Sequence, residues 1–237
     1  MWSAMSGVAG YPNIFPGQID KAKLFPLGSI VAAVDPYFGM GEFMYVQFPA
    51  SAAITMGQVV VISGIGATVM SAAVCPNTAN TGRAIGVCIT PVVSQAYIQY
   101  GWVQISGNAV IKAVASVAAG TTFGIDASAA GSVNANSAGR QVLGAVSVAP
   151  STTTVVKTWQ LTNGKNVATV SDTNGLVPGL ALSGTGVSGT IAAVDPDQRT
   201  IIMSANASAT GSNSITATYT GFIIGQLNRP ALQGAIT

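Results

Sequence analysis

The chain has 237 residues and no histidine, which excludes a Ser-His-Asp triad, a Cys-His pair and a histidine-ligated zinc site. Nine basic and seven acidic residues make up 7 % of the chain and give a net charge of +2, without the dense basic cluster that a nucleic-acid partner requires. Globular domains usually carry about 25 % charged residues, and charge depletion is typical of the centre of protein interfaces, so the composition indicates a subunit of an assembly.

Residues 1–50 are rich in proline and in aromatic residues. The steps that combine the two are Tyr11-Pro12, Phe15-Pro16, Phe25-Pro26, Asp35-Pro36-Tyr37-Phe38-Gly39 and Phe48-Pro49. Because proline biases the preceding residue towards extended conformations, the pattern predicts an extended N-terminal arm over residues 1–50 and disfavours a helix. Exposed aromatic side chains are poorly tolerated on a free monomer, so we expect this arm to pack on a partner.

Residues 51–157 contain short runs of β-branched residues bounded by glycine, proline and asparagine, which is typical of strands. The predicted strands are 59–62, 85–89, 97–105, 108–112 and 142–146. Ser106-Gly107 predicts a hairpin turn between the third and fourth of these strands. The recurrence of strands about every ten residues predicts a β-barrel or sandwich core.

Residues 158–220 keep the strand pattern but become richer in threonine, serine and glycine. Two runs, 190–194 and 200–204, flank Asp195-Pro196-Asp197, which predicts a type I turn and a hairpin. We therefore predict a smaller inserted β domain over residues 158–220. Residues 221–237 supply a final core strand and a C-terminal tail. No part of the chain shows sustained helical periodicity, so the predicted fold class is all-β.

Few side chains in the sequence can move protons or bind metals. The carboxylates are those of Asp20, Asp35, Glu42, Asp126, Asp172, Asp195 and Asp197. Most of them adjoin glycine or proline, where an acidic residue is favoured as a turn former. A pair of carboxylates could still make a glycosidase, and Asp195 and Asp197 are spaced like calcium ligands without the further ligands of a calcium loop. We predict no catalytic residue, no cofactor and no metal.

Two further patterns carry little chemistry. Residues 184–189 match G-x-G-x-x-G, but a predicted strand follows them where a dinucleotide site requires a helix. Cys75 and Cys88 are too few for a disulfide framework and lack C-x-x-C spacing. We expect a buried, reduced thiol at Cys88, and a bridge between the two cysteines stays open.

The order of several short segments resembles one known family. The segments are IGV at 85–87, YGWVQISG at 100–107, VIKA at 110–113, VAAG at 117–120 and GIDA at 124–127. Their order resembles the core of the decoration, or cement, proteins of tailed-phage capsids. Residues 25–28 and 35–43 resemble the leader of such virion proteins, and residues 226–230 resemble their C-terminal signature. The block 158–220 departs from the pattern and resembles a small β module of phage virion proteins.

The resemblance implies a mechanical role in a virion. Such a protein is a homotrimer on the outer capsid surface, where its partner is the major capsid protein of an HK97-type shell. Each trimer bridges neighbouring capsomers and resists the pressure of packaged DNA, and three linked footprints raise the avidity of each trimer. The particle is assembled in the host cytoplasm, with no nucleic-acid or membrane partner for this chain.

Candidate contact residues follow from the arm and from the resemblance. We expect capsid or inter-subunit contacts from Tyr11, Phe15, Phe25, Tyr37, Phe38, Trp102 and Arg229. The alternative is that the aromatic residues of the arm cap the protein's own core.

Two other functions compete with decoration. One is a tail or fibre component, or a cell-surface adhesin, built from similar β modules. The other is the carbohydrate-active enzyme considered above. The first 17 residues lack the basic start and apolar run of a signal peptide, and no stretch reaches the roughly 20 apolar residues of a membrane span. These features argue against an exported adhesin.

Overall fold

The structure, a computed structural model, describes residues 3–4, 17–35, 37–64, 70–195 and 198–235. These residues form strands, turns and loops without a helix, so the predicted all-β fold class is confirmed. The strands are β1 (Ser3–Ala4), β2 (Ile19–Asp20), β3 (Ile30–Asp35), β4 (Gly39–Phe48), β5 (Val59–Ser63), β6 (Ser71–Val74), β7 (Ile85–Cys88), β8 (Gln99–Lys112), β9 (Phe123–Ile125), β10 (Val133–Ala135), β11 (Val142–Ala149), β12 (Thr154–Leu161), β13 (Val167–Val170), β14 (Ala181–Gly184), β15 (Ile191–Asp195), β16 (Thr200–Met203), β17 (Gly211–Thr218) and β18 (Phe222–Leu232).

The chain forms two compact units. Residues Ser151–Thr220 form one, here called the inserted unit, and the described residues up to Pro150 together with those from Gly221 form the main unit. Strands β11 and β18 of the main unit are antiparallel neighbours, with Ala149 opposite Ile224. The inserted unit therefore lies within the connection between two paired strands.

The sequence-based boundary at residue 158 falls inside a strand of the inserted unit. β12 starts at Thr154, which lies opposite Thr218 of β17, and Val155 is buried. Pairing of the first and last strands brings the two ends of the inserted unit together, as a connection between antiparallel neighbours requires. The unit consequently begins at Ser151.

The main unit contains a closed five-stranded barrel within a ten-stranded sheet. β4, β6, β5, β7 and β8 follow one another in the sheet, and β8 pairs back onto β4. The barrel interior is apolar because alternate residues of each strand point inwards. Its buried residues are Val46, Phe48, Ile54, Val60, Ile62, Met70, Ala72, Cys88, Val92, Val103 and Ile105.

The prediction of an extended arm over residues 1–50 is wrong for the residues of β3 and β4, because both are strands of the main sheet. β3 alternates between buried and more exposed residues, with Val31 and Ala33 on the buried face. This two-residue period is that of a strand with one face on a core. Pro26 and Pro49 accept turn hydrogen bonds before β3 and after β4, so the prolines delimit strands and do not extend an arm.

The hairpin predicted at Ser106-Gly107 is also wrong, because β8 runs through these residues as one 14-residue strand. Gly107 has φ = 86°, and a Cβ at this position would lie 2.1 Å from the carbonyl oxygen of Met40. Only glycine combines this conformation with so close an approach. β8 pairs with β7 at residues 103–104, with β4 up to Gly107 and with β18 from Ser106 onwards, so Ser106 and Gly107 lie between β4 and β18.

A second core lies where β18, β11, β9 and β10 meet strands of the barrel. It consists of Val59, Val61, Cys75, Ile85, Val87, Ala109, Ile111, Ala113, Val117, Phe123, Ile125, Val133, Val142, Ile223, Leu227 and Leu232. Cys75 belongs to this core and Cys88 to the barrel interior, and both are free thiols. Burial raises the pKa of the Cys75 thiol to about 11 and that of Cys88 to about 12, so both stay protonated near neutral pH.

The inserted unit is a six-stranded antiparallel sheet in the order β14, β17, β12, β13, β16, β15. The sheet closes because Ile191 donates to the carbonyl of Leu180 and Leu182 donates to that of Gly189, at 2.9 Å each. Trp159 and Tyr219 are fully buried inside. The predicted hairpin is confirmed, with Asp195 opposite Thr200; Pro196 and Asp197 lie outside the described residues.

Candidate interaction surface

The structure separates the predicted contact residues into buried and exposed groups. Phe25, Phe38 and Trp102 are buried in the main unit, so in this conformation their side chains are not free to contact a partner. Phe25 packs against Tyr45 and Trp102 with ring centroids 5.2 and 5.4 Å away. Tyr37 and Arg229 are exposed. Tyr11 and Phe15 lie outside the described residues.

A buried tyrosine fixes the chain before β3 against β4. The Tyr45 hydroxyl donates to Asp20 Oδ2 at 2.9 Å and accepts from the Leu24 N–H at 3.3 Å. The amide of Gln18 donates to the other carboxylate oxygen of Asp20. Burial, with a smaller contribution from Asp20, raises the pKa of Tyr45 well above its ordinary value. The hydroxyl therefore remains a donor, and residues 18–24 are held against the outer side of the barrel.

One side of the β3–β4 pair carries exposed apolar side chains. Val34 lies directly opposite Met40, which is 61 % exposed, and Ile30 and Tyr37 are exposed beside them. The carboxylate of Asp35 accepts the N–H groups of Tyr37 and Phe38 at 2.8 and 3.0 Å, so the turn next to this ladder is ordered. Contiguous exposed apolar side chains on a soluble protein mark an interaction site.

An ion pair lies within this ladder, because Glu42 is opposite Ala32, between the Val34–Met40 and Ile30–Met44 pairs. Arg229 Nε and Nη2 lie 3.3 and 3.5 Å from the two carboxylate oxygens of Glu42, which follows Met40 on β4 by two residues. The side chain of Arg229 is 64 % exposed. We call Ile30, Val34, Tyr37, Met40, Glu42 and Arg229 together the β3–β4 face.

The backbone at Arg229 is strained. Its φ is 45°, a conformation that costs a non-glycine residue about 1–3 kcal/mol, and it precedes Pro230. An exposed ion pair returns only about 0–1 kcal/mol. Near Arg229 the pairing of β11 with β18 is irregular, with a β-bulge at Gly144. A Cβ at Gly144 would lie 2.7 Å from the Asn228 carbonyl oxygen, so close packing of the two strands at the bulge must hold Arg229 in this conformation. The fold therefore sets the position of the guanidinium beside Glu42.

Asp126 and Asp172 have lowered pKa values because of contacts that stabilise local structure. Hydrogen bonds from Ser128 and Asn134 lower the pKa of Asp126 far below its ordinary value, and they tie the loop after β9. In the inserted unit the ammonium of Lys157 lowers the pKa of Asp172. Within the described ranges, no group of three or more His, Cys, Asp or Glu side chains is placed to hold a metal ion.

The sequence alone does not identify Ile30, Val34, Met40 or Glu42 as surface residues. The signal was present in the alternating IVAAVD run of β3, but assigning residues 1–50 to an arm concealed it. Arg229 was selected from the resemblance alone, and its partner Glu42 is distant in sequence.

Comparisons of the chain with models of known families, with characterised proteins and with solved structures find no match. No helix long and apolar enough to cross a membrane occurs in the part of the chain that the structure describes.

Proposed function

We propose that the chain is a structural virion protein, a decoration protein that trimerises on the outer surface of an HK97-type capsid shell and stabilises the shell against internal DNA pressure. The observation that carries the proposal is the β3–β4 face, a set of exposed apolar side chains on an ordered sheet with an ion pair among them. A rigid apolar surface loses little conformational entropy on binding. This favours a subunit that functions through stable contacts.

The charges of the β3–β4 face suit contact between copies of the chain. Glu42 and Arg229 are both on this face, so the carboxylate of one copy can pair with the guanidinium of the next while Val34 and Met40 become buried. A ring requires head-to-tail contact, in which one part of the face on each copy meets a different part on the next copy and the rotation closes. In a homotrimer of this kind, Glu42 of each copy would face Arg229 of the next copy.

The family resemblance supplies the kind of assembly. The segments that carry it lie on β7, β8 and in the region of β9, all within the main unit. The block that departs from the family pattern falls within the inserted unit. This division supports a decoration core that carries an additional β unit.

The copy number of the chain in purified particles tests this function directly. We expect a ratio to the major capsid protein near one to one, measured by quantitative mass spectrometry. A handful of copies per particle would place the chain in the tail or at a vertex instead. The carbohydrate-active enzyme finds no added support in the geometry, because Asp126 and Asp172 are engaged in loop and strand contacts.

A further inference from the structure

A second apolar surface lies at the loop that joins β7 to β8. Val93 is 64 % exposed, and Tyr97 and Ile98 are also exposed. They stand within eight residues of one another on residues 91–98, on the main unit but outside the β3–β4 face. One loop thus exposes three large apolar side chains, and clustered exposed apolar surface often marks an interaction site.

Backbone and side-chain hydrogen bonds hold this loop in place. Ile54 and Val92 exchange both N–H···O bonds, at 3.0 and 2.8 Å. The Ser51 N–H donates to the Gln95 carbonyl at 2.6 Å. The side-chain amide of the buried Gln99 donates to the Val93 carbonyl at 2.8 Å. The apolar side chains are therefore displayed by an ordered loop, and docking would cost little ordering entropy.

Two lysines accompany the loop. β2 pairs antiparallel with β8, with Asp20 opposite Tyr100, so the chain that follows Asp20 runs towards the start of β8 and Ile98. This chain carries Lys21 and Lys23, both exposed, and Leu24, which is half-exposed. Asp20 itself is buried and bonded to Tyr45 and Gln18. Among the described residues, neither lysine has an acidic partner within ion-pair distance. We call Lys21, Lys23, Leu24, Val93, Tyr97 and Ile98 the loop face.

We propose that the loop face docks onto a protein surface that presents an apolar recess flanked by carboxylates, and that this surface belongs to the capsid shell. The identity of the shell as the partner rests on the proposed function. The loop face offers only positive charge, so its complement must be acidic. Among the described residues, Asp20, Asp35 and Asp126 are buried, and Glu42 and Asp172 are already paired with Arg229 and Lys157. A second copy of the chain is therefore a poor source of that complement. The β3–β4 face, with charges of both signs, fits a copy of the chain, and the loop face fits a different protein.

The test measures binding of the full chain to shells that are assembled from the major capsid protein of the same virion and lack this chain. Two double variants probe the loop face: K21E/K23E reverses its charge, and V93S/I98S removes apolar contact. The matched control is K165E/R199E, which makes the same charge change at exposed positions of the inserted unit.

We expect K21E/K23E to weaken binding by about tenfold or more at low salt, and the loss to shrink as salt screens the charges. V93S/I98S should weaken binding by about tenfold at every salt concentration, because its contribution is apolar. The control should bind like the unaltered chain, and all variants should keep the oligomeric state of the unaltered chain in analytical ultracentrifugation.

Three outcomes contradict parts of this account. If the unaltered chain binds shells and both loop-face variants bind equally well, the docking role is overturned while decoration stands. If the unaltered chain does not bind shells at all, both proposals fall. If the loss seen with K21E/K23E is matched by K165E/R199E, the effect is one of net charge and the loop face is not the docking site.

Discussion

The main unit and the inserted unit are both closed β-structures, but they close over different distances along the sequence. In the inserted unit, β12 and β17 pair across most of the unit, but β15 pairs with β16 and β14 contacts β15 across short connections. In the main unit, β8 pairs with β4 and with β18, which lie far away in the sequence. The described residues of the main unit form several buried apolar clusters. In the inserted unit, Trp159 and Tyr219 are fully buried. Irregular backbone positions occur in both units, for example at Arg229 and Arg199.

The surfaces of the two units differ in the same sense. Most exposed large apolar side chains of the main unit lie on the β3–β4 face and the loop face, and Val114, Leu143 and Val148 lie elsewhere. In the inserted unit the outward positions of β12 and β17 are mainly hydroxyl or amide side chains. The exposed large apolar side chains among its described residues are Val156, Val167 and Ile202. Under the proposed function, the larger number of exposed apolar side chains assigns the assembly contacts to the main unit.

The largest effect is expected from Gly107. We expect Gly107→Ala to destabilise the main unit by about 4 kcal/mol or more, because the new methyl group meets the Met40 backbone, which cannot move aside. Gly120→Ala is the matched control, since Gly120 has a similar φ of 77° but open space around its Cα; it should cost about 1 kcal/mol. Calorimetry should show the main-unit transition lowered and the inserted-unit transition unchanged. Equal costs for the two variants would remove the steric argument.

Trp159 gives the corresponding test for the inserted unit. Trp159→Ala should destabilise this unit by about 3–5 kcal/mol, because it empties the centre of a closed core. Val156→Ala, on the same strand but 60 % exposed, should change stability by less than about 0.5 kcal/mol. Urea unfolding followed by circular dichroism measures both. A loss of main-unit stability in Trp159→Ala would show that the two units do not unfold independently.

Tyr45 predicts a pH dependence confined to the main unit. The raised pKa of folded Tyr45 means that the unfolded chain loses this proton first, so stability should fall as the pH rises above about 10. Tyr45→Phe should cost about 1–3 kcal/mol at neutral pH, because the buried Asp20 loses a donor. The variant should also lose less stability than the unaltered chain between pH 9 and 11. Identical alkaline slopes would exclude Tyr45 as the group responsible.

The smallest effect on stability is expected at the exposed cross-strand pairs of the two units. Val34→Ser/Met40→Ser should change the free energy of unfolding by less than about 1 kcal/mol, yet weaken self-association about tenfold or more. The control is Val167→Ser/Ile202→Ser, which alters an exposed cross-strand pair of the inserted unit in the same opposed register. Sedimentation equilibrium measures the self-association constant of each double variant. Equal association of both variants would remove the β3–β4 face from the trimer contact.

How far the sequence predicts each region depends on the range of the interactions. The β15–β16 hairpin follows from a local alternation around Asp195 and Thr200, and it was predicted correctly. The place of β4 in the barrel depends on pairing with β8, which no local pattern encodes, so residues 1–50 were assigned to an arm. Gly107 was assigned to a hairpin turn, because the close approach of Met40 that requires glycine at this position cannot be seen in the local sequence. Burial of Phe25 and Trp102 had the same non-local cause.

The contact residues illustrate the same limit. Aromatic residues were chosen because their large apolar area favours both cores and interfaces, and sequence alone does not separate the two. Phe25, Phe38 and Trp102 entered the core, whereas the aliphatic Val34 and Met40 remained outside. The Glu42–Arg229 pair could not be found because the β11–β18 bulge that places it forms only in the folded chain.

The position of the inserted unit between β11 and β18 has an engineering consequence. Because β12 and β17 pair at Thr154 and Thr218, the unit occupies the connection with its two ends side by side. Any compact domain with adjacent termini meets the same geometric requirement. The β11–β18 connection is therefore a domain insertion site. Residues 151–220 can be exchanged there for an enzyme, an epitope or a fluorescent reporter without altering the strands of the main unit.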